Sequence, residues 1–336
     1  MDQPALFFNG IYIYWHGIFI TIAIIAAVGT ALLLSKLLQH NKTLLLFDTA
    51  LLAFPLSFVC SRVLYHINNY DEFHSVAEAL TFSDGGYALY GVVLGAFLAA
   101  VTMRFWRKDY PLGAVCDCMA AGGVVGIVIG RFAAYCSLDN VGIVMTSKKT
   151  HFFPLSVYDK TTGLWSLATF NMEAVTELAV FVLLCVMFVL FHNENRKVRG
   201  KNGDIALLFL MLHGASEVVF DSMQQDALKF PGNSFVRIQQ IIGALSLAAV
   251  MTVFVIRSVK RAEEFTRFHL FMLIGFWGAI GLAAYMEFAR ISDTNYFRNH
   301  IVMFLCMVAA SVLGVIMYTT SLRPEYEPPY TTRIYF

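Results

Sequence analysis

The chain has 336 residues, of which 58% are hydrophobic and only 14% are charged, whereas a soluble domain carries about a quarter charged residues. The formal net charge is +1, so the composition excludes a protein that binds nucleic acid through an overall basic excess. These values predict an all-α integral membrane protein, since a helix satisfies its own backbone hydrogen bonds in lipid.

Nine apolar segments are long enough to cross a bilayer, which takes roughly 20 helical residues. In chain order they cover about 11–35, 44–66, 86–106, 112–135, 171–191, 204–223, 236–257, 266–290 and 299–321. The pattern predicts a polytopic helical bundle with about nine transmembrane helices. No basic residue precedes the first segment, so we expect that segment to stay as an anchor and not to be removed as a signal peptide.

Basic residues divide unequally between alternate loops. One set of loops carries fifteen lysines and arginines, and the other set carries seven. Because cytoplasmic loops of membrane proteins hold the excess of positive charge, the first set is predicted to be cytoplasmic. The N-terminus is then outside and the C-terminus cytoplasmic, which agrees with an odd number of spans.

Polar side chains gather toward the outer ends of the predicted spans. Those that the sequence brings to this depth are His16, Arg62, Tyr65, Tyr90, Arg131, Glu173, Glu177, His213, Glu217 and Asp221. On the sixth span, one helical face carries, at i, i+4, i+8 and i+11, the side chains of His213, Glu217, Asp221 and Gln224. A charge inside a span costs roughly 3 kcal/mol on insertion scales. Because of this cost, the presence of so many polar groups at one depth indicates a site. Its mixture of cations, carboxylates, imidazoles and phenols suits a phosphate or a lipid headgroup.

Each of these residues also has a simpler explanation when it is taken singly. An arginine near a helix end, such as Arg62 or Arg131, reaches the interface by snorkelling. A carboxylate in a first helical turn, such as that of Glu173, complements the helix dipole. His213 could be a hydrogen-bonded interior imidazole.

Glycine spacing predicts close helix packing. Gly122, Gly126 and Gly130 on the fourth span follow the small-xxx-small pattern, as do Gly91 and Gly95 on the third. Arg131 is therefore expected on a helix that packs tightly inside the bundle.

The six cysteines lie in or beside apolar runs and show no ligand spacing. No combination of His, Cys and Glu has the spacing of a metal site either. We therefore expect no metal and no organic cofactor.

Six segments, taken together, carry a resemblance to a known family. They are IYIYWHGIFITIAI (11–24), SRVLY (61–65), DGGYALYGVVLG (84–95), GRFAAYCSLDNVG (130–142), NMEAVTE (171–177) and GDIALLFLMLHGASEVVFD (203–221). In their order and spacing they resemble the prolipoprotein diacylglyceryl transferase family of bacterial inner-membrane enzymes. The resemblance covers about residues 8–258, which predicts a transferase-like seven-helix membrane domain over 1–258. Residues 259–336 would then add two further transmembrane helices and a cytoplasmic tail.

The resemblance implies a function and its partners. Members of the family move the diacylglyceryl group of phosphatidylglycerol onto the lipobox cysteine thiol of a prolipoprotein, at the outer leaflet of the bacterial plasma membrane. The implied partners are phosphatidylglycerol, the prolipoprotein precursor and membrane lipid, with no nucleic acid. Arg131 matches the arginine of the family signature and is expected to bind the phosphate, for which the planar guanidinium fork is well suited.

The resemblance also implies two groups of site residues. The expected catalytic residues are Arg131, His16, Tyr90, Glu217 and His213. The expected substrate-binding residues are Arg131, Arg62, Tyr65, Gly85, Gly86, Ser137, Asp139, Glu173 and Asp221.

Several positions depart from the family pattern. The signature after Arg131 has Ala134 and Ser137 at its two asparagine positions, Leu138 at its glycine position and Asp139 at its glutamate position. Other departures are Tyr90 in place of histidine, His16 in place of tyrosine, and His213 and Glu217 in place of tyrosine and arginine. The Glu217 exchange reverses a charge and removes a second cation.

Two interpretations of the site follow. In the first, transfer survives in rearranged form, with His16 or His213 as proton acceptor, because imidazole is a better base at neutral pH than phenol. Tyr90 would then donate a hydrogen bond, so His16→Ala should abolish transfer and Tyr90→Phe should weaken it. In the second, Glu217 pairs with Arg131 and the scaffold has lost or changed its reaction.

Three function classes therefore remain open. The first is a lipid-to-thiol transferase, and the second is a non-catalytic protein that binds a lipid or a lipoprotein precursor. The third is a transporter or channel, which ranks last because such proteins place polar residues near the membrane midplane and usually show internal repeats. Here the polar residues are at one side and no repeat is seen.

Overall fold

The computed structural model describes residues 4–8, 11–38, 43–69, 86–107, 109–160, 162–191, 198–225, 227–229, 237–288 and 296–324. Over this part of the chain there are nine helices long and apolar enough to cross a membrane. The predicted all-α class and the number of spans are thus confirmed. The direction in which the bundle crosses the membrane stays a prediction.

The helices begin and end close to the predicted boundaries. They are α1 Trp15–Leu38, α2 Thr43–Asn68, α3 Leu89–Trp106, α4 Leu112–Ser137, α5 Thr169–Phe191, α6 Asp204–Met223, α7 Ile238–Ala262, α8 Arg267–Phe288 and α9 Tyr296–Ser321. Hydropathy alone locates them because a lipid-spanning helix needs an unbroken apolar run.

Three antiparallel strand pairs connect or flank the helices. They are β1 Pro4–Phe8 with β2 Ile11–Tyr14, β3 Ser156–Asp159 with β4 Leu164–Leu167, and β5 Val198–Arg199 with β6 Arg323–Pro324. The β3–β4 pair belongs to the connection between α4 and α5, so it lies at the end of the bundle where α4 ends and α5 begins.

Helix α4 packs against α1, α5 and α6, and its glycines explain the contact with α1. A Cβ atom at Gly122 would lie 2.8 Å from the Cβ of Ala31, and one at Gly126 would lie 3.0 Å from the Cβ of Ala27. Such distances leave no room for a larger side chain, so α1 and α4 approach at backbone distance. Arg131 is therefore carried on a helix inside the bundle, as the spacing predicts.

Two further close crossings hold the bundle together. On α3, a Cβ at Gly91 would lie 2.7 Å from the carbonyl oxygen of Cys60, which brings α3 against α2. On α6, a Cβ at Gly214 would lie 2.6 Å from the carbonyl oxygen of Gly243 on α7. The second crossing has no small-xxx-small pattern on α6, and sequence reasoning missed it.

Buried polar contacts attach the last two helices to the rest of the bundle. Ser222 on α6 donates from Oγ to Glu287 Oε2 of α8 at 2.5 Å, and the same Oγ lies 2.9 Å from His300 Nε2 of α9. Tyr296 of α9 donates to the carbonyl oxygen of Met223 at 3.3 Å. Helix α9 thus packs on α6 as well as on α7 and α8.

Candidate functional site

An arginine and two glutamates from three helices meet inside the bundle. Arg131 on α4 forms ion pairs with Glu173 on α5 and with Glu217 on α6, the second through Nη2 and Oε1 at 3.1 Å. The arginine side chain is 13% exposed, and both carboxylates are buried. In this structure the counter-ions of Arg131 are therefore two carboxylates, as the second interpretation of the sequence anticipates for Glu217.

A second carboxylate of α5 orients the histidine of α6. His213 Nδ1 lies 2.9 Å from Glu177 Oε1, and Ser216 donates to the same oxygen at 2.6 Å. With the proton on Nδ1 facing the carboxylate, Nε2 of a neutral imidazole carries the lone pair. That Nε2 has no hydrogen-bond partner among the described residues and lies 3.7 Å from Glu217 Oε1.

Aromatic side chains surround this imidazole. The ring of Tyr90 lies 5.7 Å from the ring of His213, and that of Phe209 stacks on it at 5.2 Å. Tyr90 is buried, and its hydroxyl has no hydrogen-bond partner in the described part of the chain. The phenol is therefore a donor directed into an apolar and carboxylate-rich interior.

The buried polar region continues to the start of α7. Asp221 is completely buried one turn beyond Glu217 on α6. Gln224 donates from Nε2 to Glu173 Oε2 at 3.3 Å, and its carbonyl oxygen accepts a hydrogen bond from Arg237 Nη1 at 3.0 Å. Residues from α4 to the beginning of α7 thus form one connected set.

The structure places His16 at the junction of α1 and α4, beside Ser137. His16 Nδ1 lies 3.1 Å from Ser137 Oγ, which is six residues beyond Arg131 and so about 9 Å further along α4. Asp139 is exposed in the turn that follows α4, between two residues with left-handed backbone, Leu138 and Asn140. These three expected site residues therefore lie toward the end of α4, away from the Arg131 ion pairs.

Arg62, Tyr65 and Gly86 hold the segment that leads into α3. Arg62 Nη1 donates to the carbonyl oxygen of Gly86 at 3.0 Å, and its guanidinium lies 5.9 Å from the centre of the Tyr65 ring. Gly86 has φ +76°, and a Cβ there would lie 2.6 Å from Tyr65 Cζ, so only glycine fits. These contacts fix the start of α3, the helix that carries Tyr90. The expected binding residue Gly85 lies outside the described residues.

The sequence placed Glu177 and Gln224 among the polar residues at this end of the bundle, but it assigned only Glu173, and neither of those two, to the site. A signal for Glu177 was present, because Glu173 and Glu177 are four residues apart and share one face of α5. For Gln224, which lies just beyond α6, the signal was its place eleven residues after His213, on the same helical face. Among the described residues, no set of three or more His, Cys, Asp and Glu side chains could hold a metal ion.

The fold and the site define a polytopic membrane protein with a buried ionic centre at one end of its helical bundle. The family model described as prolipoprotein diacylglyceryl transferase matches residues 4–259. The chain belongs to the prolipoprotein diacylglyceryl transferase family.

Curated relatives agree with this assignment. A protein of Clostridium kluyveri is 23% identical over 259 residues, which cover 76% of this chain and 96% of the relative. A protein of Lactococcus lactis subsp. lactis is 24% identical over 266 residues, covering 78% and 96% of the two chains. One of Finegoldia magna is 25% identical over 253 residues, covering 75% and 94%. Each of these relatives is named phosphatidylglycerol–prolipoprotein diacylglyceryl transferase. The resemblance seen in the sequence is confirmed, and α8 and α9 lie beyond the matched residues.

Proposed function

We propose that this protein transfers the diacylglyceryl group of phosphatidylglycerol to the lipobox cysteine thiol of a prolipoprotein, at the outer leaflet of the bacterial plasma membrane. Membership of the family supports the reaction. The observation that carries it within this chain is the buried arginine, Arg131, beside an imidazole with an unengaged nitrogen, His213 Nε2. A fixed cation suits a departing phosphate, and a base suits an attacking thiol.

The reaction forms one bond and breaks one. The cysteine sulfur bonds to the glyceryl carbon, and the bond between that carbon and the phosphate oxygen breaks. Glycerol phosphate leaves with the bonding electrons, and the thiol proton passes to a base. The protein must therefore hold a proton acceptor and a phosphate-binding cation close together.

His213 is the proton acceptor in this proposal. The 2.9 Å contact with Glu177 fixes the ring and leaves Nε2 as the acceptor. The sequence left His16 as an alternative base. The contact of His16 with Ser137 supplies no carboxylate to orient or stabilise a protonated ring, so the geometry favours His213.

Arg131 then exchanges one counter-ion for another. A phosphate approaching Arg131 competes with two buried carboxylates, which is unfavourable while both are ionised. Glu217 Oε1 lies 3.7 Å from His213 Nε2 and is placed to receive the thiol proton from it. Once it is protonated, Glu217 is neutral and needs no positive counter-ion. Arg131 therefore becomes available to bind the phosphate as the thiolate forms.

The remaining residues assist in this proposal. Tyr90 donates its hydroxyl hydrogen to a lipid oxygen. Arg62, Tyr65 and Gly86 act indirectly, through the segment leading into α3. In addition, Asp221 extends the buried acidic wall, and Ser137, Asp139 and His16 line the approach at the end of α4.

A second candidate function is a non-catalytic protein that binds a lipid or a lipoprotein precursor. The observation that favours it is the double ion pair of Arg131, which already balances the arginine charge without phosphate. The position where the family pattern has an arginine is also occupied by Glu217.

Complementation distinguishes the two candidates. The gene is expressed in a bacterial strain depleted of its own diacylglyceryl transferase, and modification is followed by the gel mobility of a lipoprotein. We expect the wild-type chain to restore the modified form and Arg131→Gln to abolish it. The matched control is Arg107→Gln, since Arg107 pairs with Asp48 at the surface of the other end of the bundle, at 3.0 Å. A wild-type chain that accumulates in the membrane but restores nothing would favour the binding protein.

A further inference from the structure

A serine near the end of α6 links this helix to the added helices, α8 and α9. Ser222 Oγ donates to Glu287 Oε2 of α8 at 2.5 Å and lies 2.9 Å from His300 Nε2 of α9. Ser222 is completely buried and His300 is 3% exposed, so bulk water does not compete for the contact between them. The family match ends at residue 259, before α8 begins. The proposed transfer reaction assigns no role to these three side chains.

The hydroxyl of Ser222 donates one of these two hydrogen bonds and accepts the other. His300 Nδ1 lies 2.8 Å from the carbonyl oxygen of Tyr296, which can only accept, so Nδ1 carries a hydrogen. The serine has a single hydroxyl hydrogen for its contacts with Glu287 and His300. The second contact therefore takes its hydrogen from the imidazole or from the carboxyl group. Removing the hydroxyl breaks the hydrogen bonds of Ser222 to both added helices.

The end of α6 is held from two sides. Gln224 lies two residues beyond Ser222, about 200° around the helix axis, and so on the opposite side. Its Nε2 donates to Glu173 Oε2 at 3.3 Å, and its carbonyl oxygen accepts from Arg237 Nη1 at 3.0 Å. The ionic centre thus holds one side of the helix end, and α8 and α9 hold the other.

This arrangement connects the added helices with Arg131. Glu173 accepts from Gln224 through one carboxylate oxygen and pairs with Arg131 through the other. Without the serine link, the last turn of α6 is anchored less firmly, and Gln224 holds Glu173 less closely. The effect therefore falls on the phosphate-binding arginine. The proposed base, His213, is nine residues from Ser222, about 14 Å along α6, and is affected less.

We propose that Ser222, Glu287 and His300 are positioning residues for the Arg131 centre, and that α8 and α9 assist the reaction through them. They act through the end of α6, by way of Gln224 and Glu173, and not by contact with the substrate. This inference rests on the proposed function, because transfer is the reaction that the positioning assists.

Alanine substitution of two matched serines tests the link. Ser258 on α7 lies 3.0 Å from His269 Nε2 of α8 and 3.2 Å from Thr320 Oγ1 of α9, at the other end of the bundle. Ser222→Ala should raise the KM for phosphatidylglycerol about fivefold and change kcat less than about twofold, the pattern of a lost contribution to binding. Ser258→Ala should leave both constants at wild-type values. Both serines are buried, so a general loss of stability would affect the two variants alike. An unchanged KM in Ser222→Ala would overturn the proposal.

A substitution on α9 tests the same link from its other side. His300→Phe keeps a ring in place but cannot form a hydrogen bond with Ser222. We expect a rise in KM similar to that of Ser222→Ala, and no further rise in the double variant, because residues that act as one unit do not have additive effects. A double variant whose rise in KM equals the product of the two single effects would contradict a shared link.

Hydrogen exchange of the full-length protein gives a measurement that does not depend on transfer. In Ser222→Ala, peptides covering 169–177 and 219–225 should exchange faster than in the wild type, and in Ser258→Ala they should not. Unchanged exchange of 169–177 would overturn the connection to the ionic centre, and so would an equal rise in KM in both alanine variants. A wild-type chain without transfer activity would refute the proposed function, and hydrogen exchange alone would then decide whether the link holds the Arg131 centre.

Discussion

Arg131 keeps a permanent charge within a transmembrane helix because glutamates from two neighbouring helices balance it. Removing one partner of such a buried pair is strongly destabilising, since it leaves an uncompensated charge. The sequence led us to expect a phosphate as the counter-ion, whereas the structure has Glu173 and Glu217 in that place. The expectation and the structure agree if the two carboxylates balance the charge of Arg131 until a phosphate displaces one of them.

The role of Glu177 can be separated from simple packing. Glu177→Gln keeps the size of the side chain but removes the charge that stabilises protonated His213. The substitution also allows the wrong tautomer of the neutral His213 imidazole. We expect the transfer kcat to fall about 100-fold, within the range of general base catalysis, with little change in KM for phosphatidylglycerol. The control is Glu264→Gln, which changes an exposed glutamate between α7 and α8. A wild-type kcat for Glu177→Gln would show that Glu177 does not position the base.

A pair of histidine variants decides which imidazole accepts the proton. His213→Gln should abolish transfer, because it removes the acceptor nitrogen that the contact with Glu177 orients and that lies 3.7 Å from Glu217 Oε1. His16→Gln should retain most activity, since His16 contacts Ser137 at the end of α4. Transfer of labelled diacylglyceryl to a precursor peptide in membranes measures both. Loss of transfer in His16→Gln with activity in His213→Gln would restore His16 as the base.

At the level of the helices, close packing depends on which face a glycine occupies. Gly122 and Gly123 are neighbours on α4, but a Cβ at Gly122 would meet Ala31 at 2.8 Å while one at Gly123 meets nothing within 4 Å. Adjacent residues on a helix point about 100° apart, so one lies in the α1–α4 contact and the other does not.

Valine substitutions at these two glycines test the contact. Gly122→Val should destabilise the protein by about 2 kcal/mol, a typical effect of overpacking, because α1 and α4 must separate. Gly123→Val introduces the same side chain on the same helix and should cost far less. Thermal unfolding in detergent measures both variants. Equal loss of stability would mean that valine in α4, and not the helix contact, is responsible.

At the level of the whole molecule, the orientation of the bundle decides which side of the membrane the ionic centre faces. The orientation is predicted from the distribution of lysine and arginine between loops. It places the connection between α4 and α5 outside the cell and that between α7 and α8 inside. The division at residue 258 into a transferase-like domain and an addition is likewise a prediction, although α9 packs directly on α6 and α7.

Cysteine labelling tests this orientation. Lys149→Cys and Glu264→Cys each place a thiol at an exposed position in one of these two connections. A membrane-impermeant maleimide should label Lys149→Cys in intact cells and Glu264→Cys only after permeabilisation, each compared with the wild-type chain and its native cysteines. The reverse pattern would place the Arg131 centre at the cytoplasmic face and contradict the proposed reaction site.

The sequence by itself determined the helical class, the nine spans and the end of the bundle at which the polar residues collect. These follow from hydropathy and from a rise of about 1.5 Å per residue, which are local properties of the chain. Only the tertiary structure decided that Arg131 pairs with Glu173 and Glu217, that Glu177 orients His213, and that Ser222 joins the end of α6 to α8 and α9. Helical periodicity tells which residues share a face, but the neighbour that each face meets depends on the packing of all the helices together.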